Sequence, residues 1–216
     1  MAINAIYFRM TFAKGFITSR SNKGEFFGDN GFNKTVQYMD SSQEGFYYED
    51  DDLQYARFSF HNQDYSFFLV VPKRSNLNAI INKFTKELFI ENVAKKAEKT
   101  TSNDFIDIKM PKFKTESDFS LKGVLQQYGV KKLFSLSEAE FPGICPQAGI
   151  HVDDVVQKTV IKVTEKGVEG AAVTQGTVFY VSTIEDHPIP KVIHATRPFF
   201  YGVSFHNTPL FVGQYY

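Results

Sequence analysis

The sequence lacks almost everything that marks a catalyst, a metal protein or a cross-linked domain. Cys145 is the one cysteine in 216 residues, which excludes an internal disulfide and argues against a structural zinc site. Net charge is missing too. Lysines and arginines number 24, as do aspartates and glutamates, so no excess of positive charge points to nucleic acid. No apolar run approaches the roughly 20 residues a membrane-spanning helix needs. Met1–Phe8 has neither a basic flank nor a small-residue cleavage site, so the pattern of a signal peptide is absent, and the chain as given is expected in the cytosol. No Gly-x-Ser-x-Gly elbow, Gly-x-Gly-x-x-Gly loop, P-loop or His-Glu-x-x-His helix occurs. His61, His151, His187, His194 and His206 are scattered without ligand spacing and are expected to be structural or exposed. Cys145 has no positional sign of a nucleophile and fits a small buried side chain equally well. No catalytic residue, metal, cofactor, nucleic-acid partner or membrane partner is therefore expected.

What is present is a globular composition: 43% apolar residues, with 23 phenylalanines and 11 tyrosines. The length suits one well-cored domain or two small ones. Ile3–Met10 opens the chain on a largely apolar strand pattern, which needs neighbours to cover it. Phe26–Met39 alternates loosely and contains the glycosylation sequon Asn33-Lys34-Thr35, relevant in a secreted protein. Glu49-Asp50-Asp51-Asp52 lacks the glycine and ligand spacing of a calcium loop and reads as a solvated turn. Tyr55–Phe60 and Tyr65–Val71 predict a hairpin joined through His61–Asp64, with Phe58, Phe60, Phe67 and Leu69 buried and Pro72 ending it. Ser75 can cap a helix in which Leu77, Ile80, Ile81, Phe84 and Leu88 recur at helical spacing. Lys95, Lys96 and Lys99 sit at its C-terminal end, where they favour the helix dipole. Ile106, Ile108 and Met110 return to strand alternation before Pro111. Leu121, Val124, Leu125 and Tyr128 predict a short helix closed by Gly129.

Everything else is arranged around Val155–Ser182. Val155–Thr164 is rich in β-branched residues and predicts a strand. Gly167, Gly170, Ala171, Ala172, Thr174, Gly176 and Thr177 follow, carrying almost no packing surface, and then a second β-rich run over Thr177–Ser182. From composition two readings stay open. The small residues form an ordinary flexible loop, or they form a segment that is at times a loop and at times a strand, thin enough to slot between existing strands.

Glu165-Lys166-Gly167-Val168-Glu169-Gly170-Ala171-Ala172-Val173-Thr174 resembles the hinge of a serpin reactive-centre loop, which typically reads Glu-x-Gly-Thr-Glu, a run of alanines, then Thr. Blocks in the family's chain order accompany it. Asn4-Ala5-Ile6-Tyr7-Phe8-Arg9, followed by Phe12 and Phe16, resembles a central-sheet strand and the turn leaving it. Met110-Pro111-Lys112-Phe113-Lys114 resembles the family's Leu-Pro-Lys-Phe. Phe134 and Ala139-Glu140-Phe141-Pro142-Gly143-Ile144 match the next signature. Arg197-Pro198-Phe199-Phe200-Tyr201 and Thr208-Pro209-Leu210-Phe211-Val212-Gly213-Gln214 resemble the two closing strands, expected as a hairpin turning at His206–Pro209.

The resemblance implies a mixed α and β serpin fold dominated by antiparallel sheet. It implies that residues 1–216 are a single serpin domain, the C-terminal portion with part of the central sheet, lacking the family's mostly helical N-terminal part. The reactive-centre loop is then about 165–190. The implied activity is inhibition of a serine protease by loop cleavage and strand insertion. Family spacing places the reactive bond at Val181–Ser182, suiting an elastase-like protease, or a chymotrypsin-like one if it slips to Phe179 or Tyr180; some members trap cysteine proteases. The hinge is Glu165, Gly167, Val168, Glu169, Gly170, Ala171, Ala172 and Thr174, and the sheet-opening region comprises Asn4, Phe12, Lys112, Gln157 and Lys158. Members commonly act in the extracellular space. Four departures bear on inhibition: Gln157 for a histidine, Gly170 for an alanine, Phe12 for Trp and Val168 for Thr. With the absent N-terminal part, they leave a non-inhibitory or truncated serpin-derived binding protein as the alternative, and no covalent trapping is expected from the chain alone.

Overall fold

The computed structural model describes residues 2–73, 77–84, 89–100, 104–144, 149–169 and 189–216. Among them the chain forms strands β1 (Ala2–Tyr7), β2 (Met10–Thr11), β3 (Asn22–Phe27), β4 (Asn33–Glu49), β5 (Leu53–Ser59) and β6 (Tyr65–Pro72). Helices α1 (Leu77–Phe84) and α2 (Phe89–Thr100) come next, followed by β7 (Asp104–Pro111), β8 (Phe113–Ser120) and helix α3 (Lys122–Gln127). The remainder is β9 (Val155–Thr164), β10 (Gly167–Glu169), β11 (Lys191–His194), β12 (Phe199–Phe205) and β13 (Thr208–Tyr215). The fold is mixed α and β with sheet predominating, as the sequence implies. Two compact units divide it: Met1–Phe8 with Lys114–Lys162, and Arg9–Phe113 with Val163–Tyr216.

In the first unit β9 is the organising strand. Its β-branched residues favour the extended backbone, and it pairs in parallel with β1 from Ala2↔Val155 to Tyr7↔Val160. It also pairs with β8. The sequence gives no warning of β8. Lys114-Thr115-Glu116-Ser117-Asp118 is polar at every position, and five consecutive residues from Glu116 to Ser120 are exposed, so no alternation marks it and pairing with β9 makes the strand. Helix α3 forms where expected, and Gly129 closes it at φ 91°, in the region that favours glycine. Its apolar stripe is uncovered, however: no residue of α3 is buried, and Tyr128 is 84% exposed.

The second unit holds the deep core. Its sheet runs β11-β7-β4-β5-β6-β12-β13, with β3 added to β4. The 17-residue β4 pairs in turn with β3, β7 and β5. The loose alternation of Phe26–Met39 resolves into β3, a 3-10 turn at Asp29–Gly31 and the start of β4. The acidic run is a tight turn: Asp50 Oδ1 accepts the backbone N–H of Asp52 and Leu53 at 2.9 and 3.0 Å. Phe58, Phe60, Phe67 and Leu69 are buried as the hairpin pattern predicts. The helical segment comprises α1 and α2, which pack on β5, β6 and β12 through Leu77, Ile80, Val93 and Ala97 against Tyr55, Phe68, Val70 and Phe200. Ser75 and Leu88 lie outside the described residues. β12 and β13 form the closing hairpin, its turn passing through His206 at φ 50°.

Candidate functional site

Val155–Thr164 ends at Glu165, and the geometry there is specific. Glu165-Lys166 form a turn, and β10 begins at Gly167 and pairs antiparallel with β2, Gly167↔Thr11 and Val168↔Met10. The Thr164 hydroxyl donates to the Gly167 carbonyl at 3.2 Å. Gly167 sits at φ 152°, and a Cβ there would lie 2.2 Å from the Met10 carbonyl oxygen, so any other residue would collide with the strand it pairs with. Two further backbone bonds tie the turn down: Phe16 N–H to the Glu165 carbonyl at 2.7 Å and Phe12 N–H to the Lys166 carbonyl at 2.9 Å.

The Glu165 side chain is buried, and its carboxylate is fully engaged. Oε1 accepts from the Ser21 hydroxyl at 3.1 Å, and Oε2 meets Lys112 Nζ at 2.9 Å. Burial pushes this carboxyl up. The bond from Lys112, its own backbone N–H, the Ser21 hydroxyl and the Lys112 charge outweigh burial and hold it below the ordinary 4.5. Beneath the turn Phe12 is 2% exposed. Its ring stacks on Phe60 at 5.3 Å and meets Phe16 and Phe67 edge-on at 5.6 and 5.8 Å. Val168 is fully buried. The result is a strand exit locked by an ion pair between the buried Glu165 and the partly exposed Lys112, a hydroxyl and backbone bonds over an aromatic floor.

Of the residues singled out in the sequence, Glu165, Gly167, Val168, Phe12 and Lys112 come together here. In the first unit Asn4 is the register partner of Gln157, and Ala5 that of Lys158. Lys158 therefore projects to the opposite face from Asn4 and Gln157, where its Nζ meets the exposed Asp118 at 3.0 Å. Glu169 is described only in its backbone. Gly170, Ala171, Ala172, Thr174, the bond Val181–Ser182, the β-rich run Thr177–Ser182 and Cys145 lie outside the described residues. Ser21 was missed, and no local pattern could have found it, since it stands 144 positions from Glu165. Among the described residues no cluster of His, Cys, Asp or Glu could hold a metal ion, and no helix is long and apolar enough to cross a membrane.

A family model described as Serpin (serine protease inhibitor) matches residues 1–216. Iripin-1 of Ixodes ricinus is 31% identical over 215 residues, which cover 98% of this chain and 53% of that protein. An uncharacterized serpin-like protein of Methanosarcina acetivorans is 28% identical over 201 residues, covering 90% of this chain and 46% of its own. Among solved structures, Serpin48 of the insect Tenebrio molitor superposes with a TM-score of 0.73 at 26% identity, over 98% of this chain and 54% of that one. A serpin from the trematode Schistosoma haematobium gives 0.79 at 21% identity, over 99% and 55%. The chain spans about half the length of the curated relatives it matches.

Proposed function

The chain belongs to the serpin family, and on that premise we propose that it carries the reactive centre of a serine-type endopeptidase inhibitor. The observation that carries this reading is the locked exit of β9, where Glu165 and Gly167 fix the start of a segment whose next residues are small. The protease serine Oγ attacks the Val181 carbonyl carbon. The Val181–Ser182 peptide bond breaks, the Ser182 amine leaves with a proton, and the acyl group stays on the enzyme. The freed segment, still anchored at Glu165, then enters the sheet as a new strand and gains backbone hydrogen bonds and burial.

Side chains alternate along a strand, so Val168, Gly170, Ala172 and Thr174 share one face and Glu169, Ala171 and Val173 the other. The buried Val168 supports the first set as the core face, because burying an unpaired Glu169 carboxylate would cost several kcal/mol. The target class is an elastase-like or chymotrypsin-like serine protease. A non-inhibitory binding role is the second reading, favoured by Gln157 and Phe12 at positions where inhibitory members carry His and Trp.

Incubation with elastase and with chymotrypsin separates the two readings, using the chain alone and joined to the part of the family length it does not span. A detergent-stable adduct in the longer protein is expected, with Ala172→Arg converting it to a cleaved substrate and Ala171→Arg far milder. A clipped chain with no adduct leaves the binding role, and equal effects of the two arginines overturn the assigned face.

A further inference from the structure

Two large aromatic side chains of the second unit stand in solvent without a packing reason. Phe27 is 51% and Phe32 is 68% exposed. Both flank Asn33. Phe32 precedes it in the chain with extended backbone, so its ring leaves the opposite face. Phe27 is its register partner across the β3–β4 pair, so the Phe27 and Asn33 side chains leave the same face of the sheet. Asn33-Lys34-Thr35 is the one Asn-x-Ser/Thr triplet in the sequence, and its middle residue is not proline. In a strand residues i and i+2 share a face, which puts the Asn33 carboxamide and the Thr35 hydroxyl side by side. Both residues are exposed, and neither side chain makes a hydrogen bond among the described residues. Lys34 turns the other way, its Nζ 4.2 Å from the Tyr215 ring centre and 5.2 Å from that of Phe26, with a bond to the Tyr216 carbonyl. The acceptor pair is thus free and presented outward, while the residue between them is held in the aromatic cluster.

We propose that Asn33 is an acceptor for an N-linked glycan and that the Phe27 ring is the apolar platform on which its first sugars lie. The co-reactant is an oligosaccharide carried on a polyprenyl diphosphate, supplied with its transferase by a secretory lumen. Asn33 Nδ2 bonds to the anomeric carbon of the first sugar, the bond from that carbon to the diphosphate oxygen breaks, and the polyprenyl diphosphate leaves. One Nδ2 proton passes to the transferase base, and nothing is oxidised or reduced. The C–H face of the sugar then covers that ring, removing from water apolar surface that the protein itself leaves bare.

The test directs the full chain into the secretory pathway of a eukaryotic host with a cleavable leader. Four versions are compared: the natural sequence, Asn33→Gln, Phe27→Thr, and Asn33→Gln together with Phe27→Thr. The natural sequence should carry a glycan on Asn33 that peptide-N-glycosidase removes, and Asn33→Gln should lack it entirely. Asn33→Gln should also lower the thermal midpoint by about 2 to 4 °C, as losing roughly a kcal/mol does in a chain of this size. That drop should vanish on the Phe27→Thr background, where the platform is gone. Unmodified Asn33 overturns the acceptor, and an equal drop with and without Phe27 overturns the platform. All the substituted side chains are exposed, so the variants retain the core that folds the unit.

Discussion

The two units of this protein differ in how much they hide. Among the described residues the first unit buries only two large hydrophobic side chains, Phe134 and Ile161, while the second buries Phe12, Tyr55, Phe58, Phe67, Phe68, Leu69 and many more. Among the described residues the first unit nonetheless supplies nine of the seventeen exposed large hydrophobics, Tyr128 and Ile144 foremost, from about a quarter of the chain. In the second unit β6 is buried from Ser66 to Pro72, covered by helices on one face and by aromatic rings on the other. In the first, every residue of β1 from Ala2 to Ala5 is exposed. Hydrogen bonds are formed in both sheets, so pairing alone does not distinguish them. Apolar burial does, and it is the term that scales with stability. A sheet that is paired but thinly covered can open locally at low cost, which is the property the proposed insertion of a strand would use.

The sharpest way to break this comparison is hydrogen exchange. Backbone amides of β1 and of Val155–Val160 should exchange at least about a hundredfold faster than those of β6 and β12, because they open by local fluctuation and not by global unfolding. Equal protection would mean that the first unit is stabilised by something other than its own packing.

Core truncation should show the same asymmetry in energy. Phe67→Ala removes a fully buried ring that packs against Phe12 and Tyr201 and should cost about 3–5 kcal/mol in urea unfolding. Phe134→Ala, at the thin core of the first unit, should cost about half as much or less, since a site near solvent leaves a smaller unfilled cavity.

The hinge lock comes next in size. Glu165→Gln keeps the shape and removes the charge facing Lys112, and should cost about 1–2 kcal/mol, the partly exposed Lys112 retaining contact with water. The same pair carries a pH signature. The Glu165 pKa in the folded chain lies below its unfolded value, so its stabilisation is fully present above about pH 5 and is lost as pH falls through 4.5 and then through the lower folded value. The stability difference between the natural protein and Glu165→Gln should therefore be greatest near neutrality and shrink toward pH 3. A difference that grows on acidification would reverse the assigned direction.

The smallest effect belongs to the surface pair of the first unit. Lys158 and Asp118 are both 57% exposed, so Lys158→Ala should change stability by no more than about 0.5 kcal/mol, and less at high salt. A larger change would show that Lys158 holds β8 to β9 more firmly than its exposure implies.

Much of this architecture was legible along the chain because it is local. The β-branched run of β9, the β5–β6 hairpin with its four buried apolar residues, and the glycine closing α3 each follow from the preferences of consecutive residues. The segment proposed as a hinge was marked in the sequence by its resemblance to a family motif, although periodicity alone left its small residues as either a loop or an occasional strand. The missed elements share one physical feature. β8 has no hydrophobic alternation, β2 and β10 are too short to show a period, and the long β4 changes partner twice without changing composition. Each is a strand because of what it pairs with.

The same distinction separates the two halves of the hinge lock. That a glycine stands at position 167, two residues after a glutamate, is written in the sequence; that it must be glycine follows from the Met10 carbonyl against it, which only the fold brings there. That this glutamate is buried, and meets Ser21 and Lys112 there, only the tertiary structure decided. A carboxylate left to local preference stays in water, because desolvating it is costly. It goes inside only where the folded chain brings a cation and a hydroxyl from distant positions to meet it.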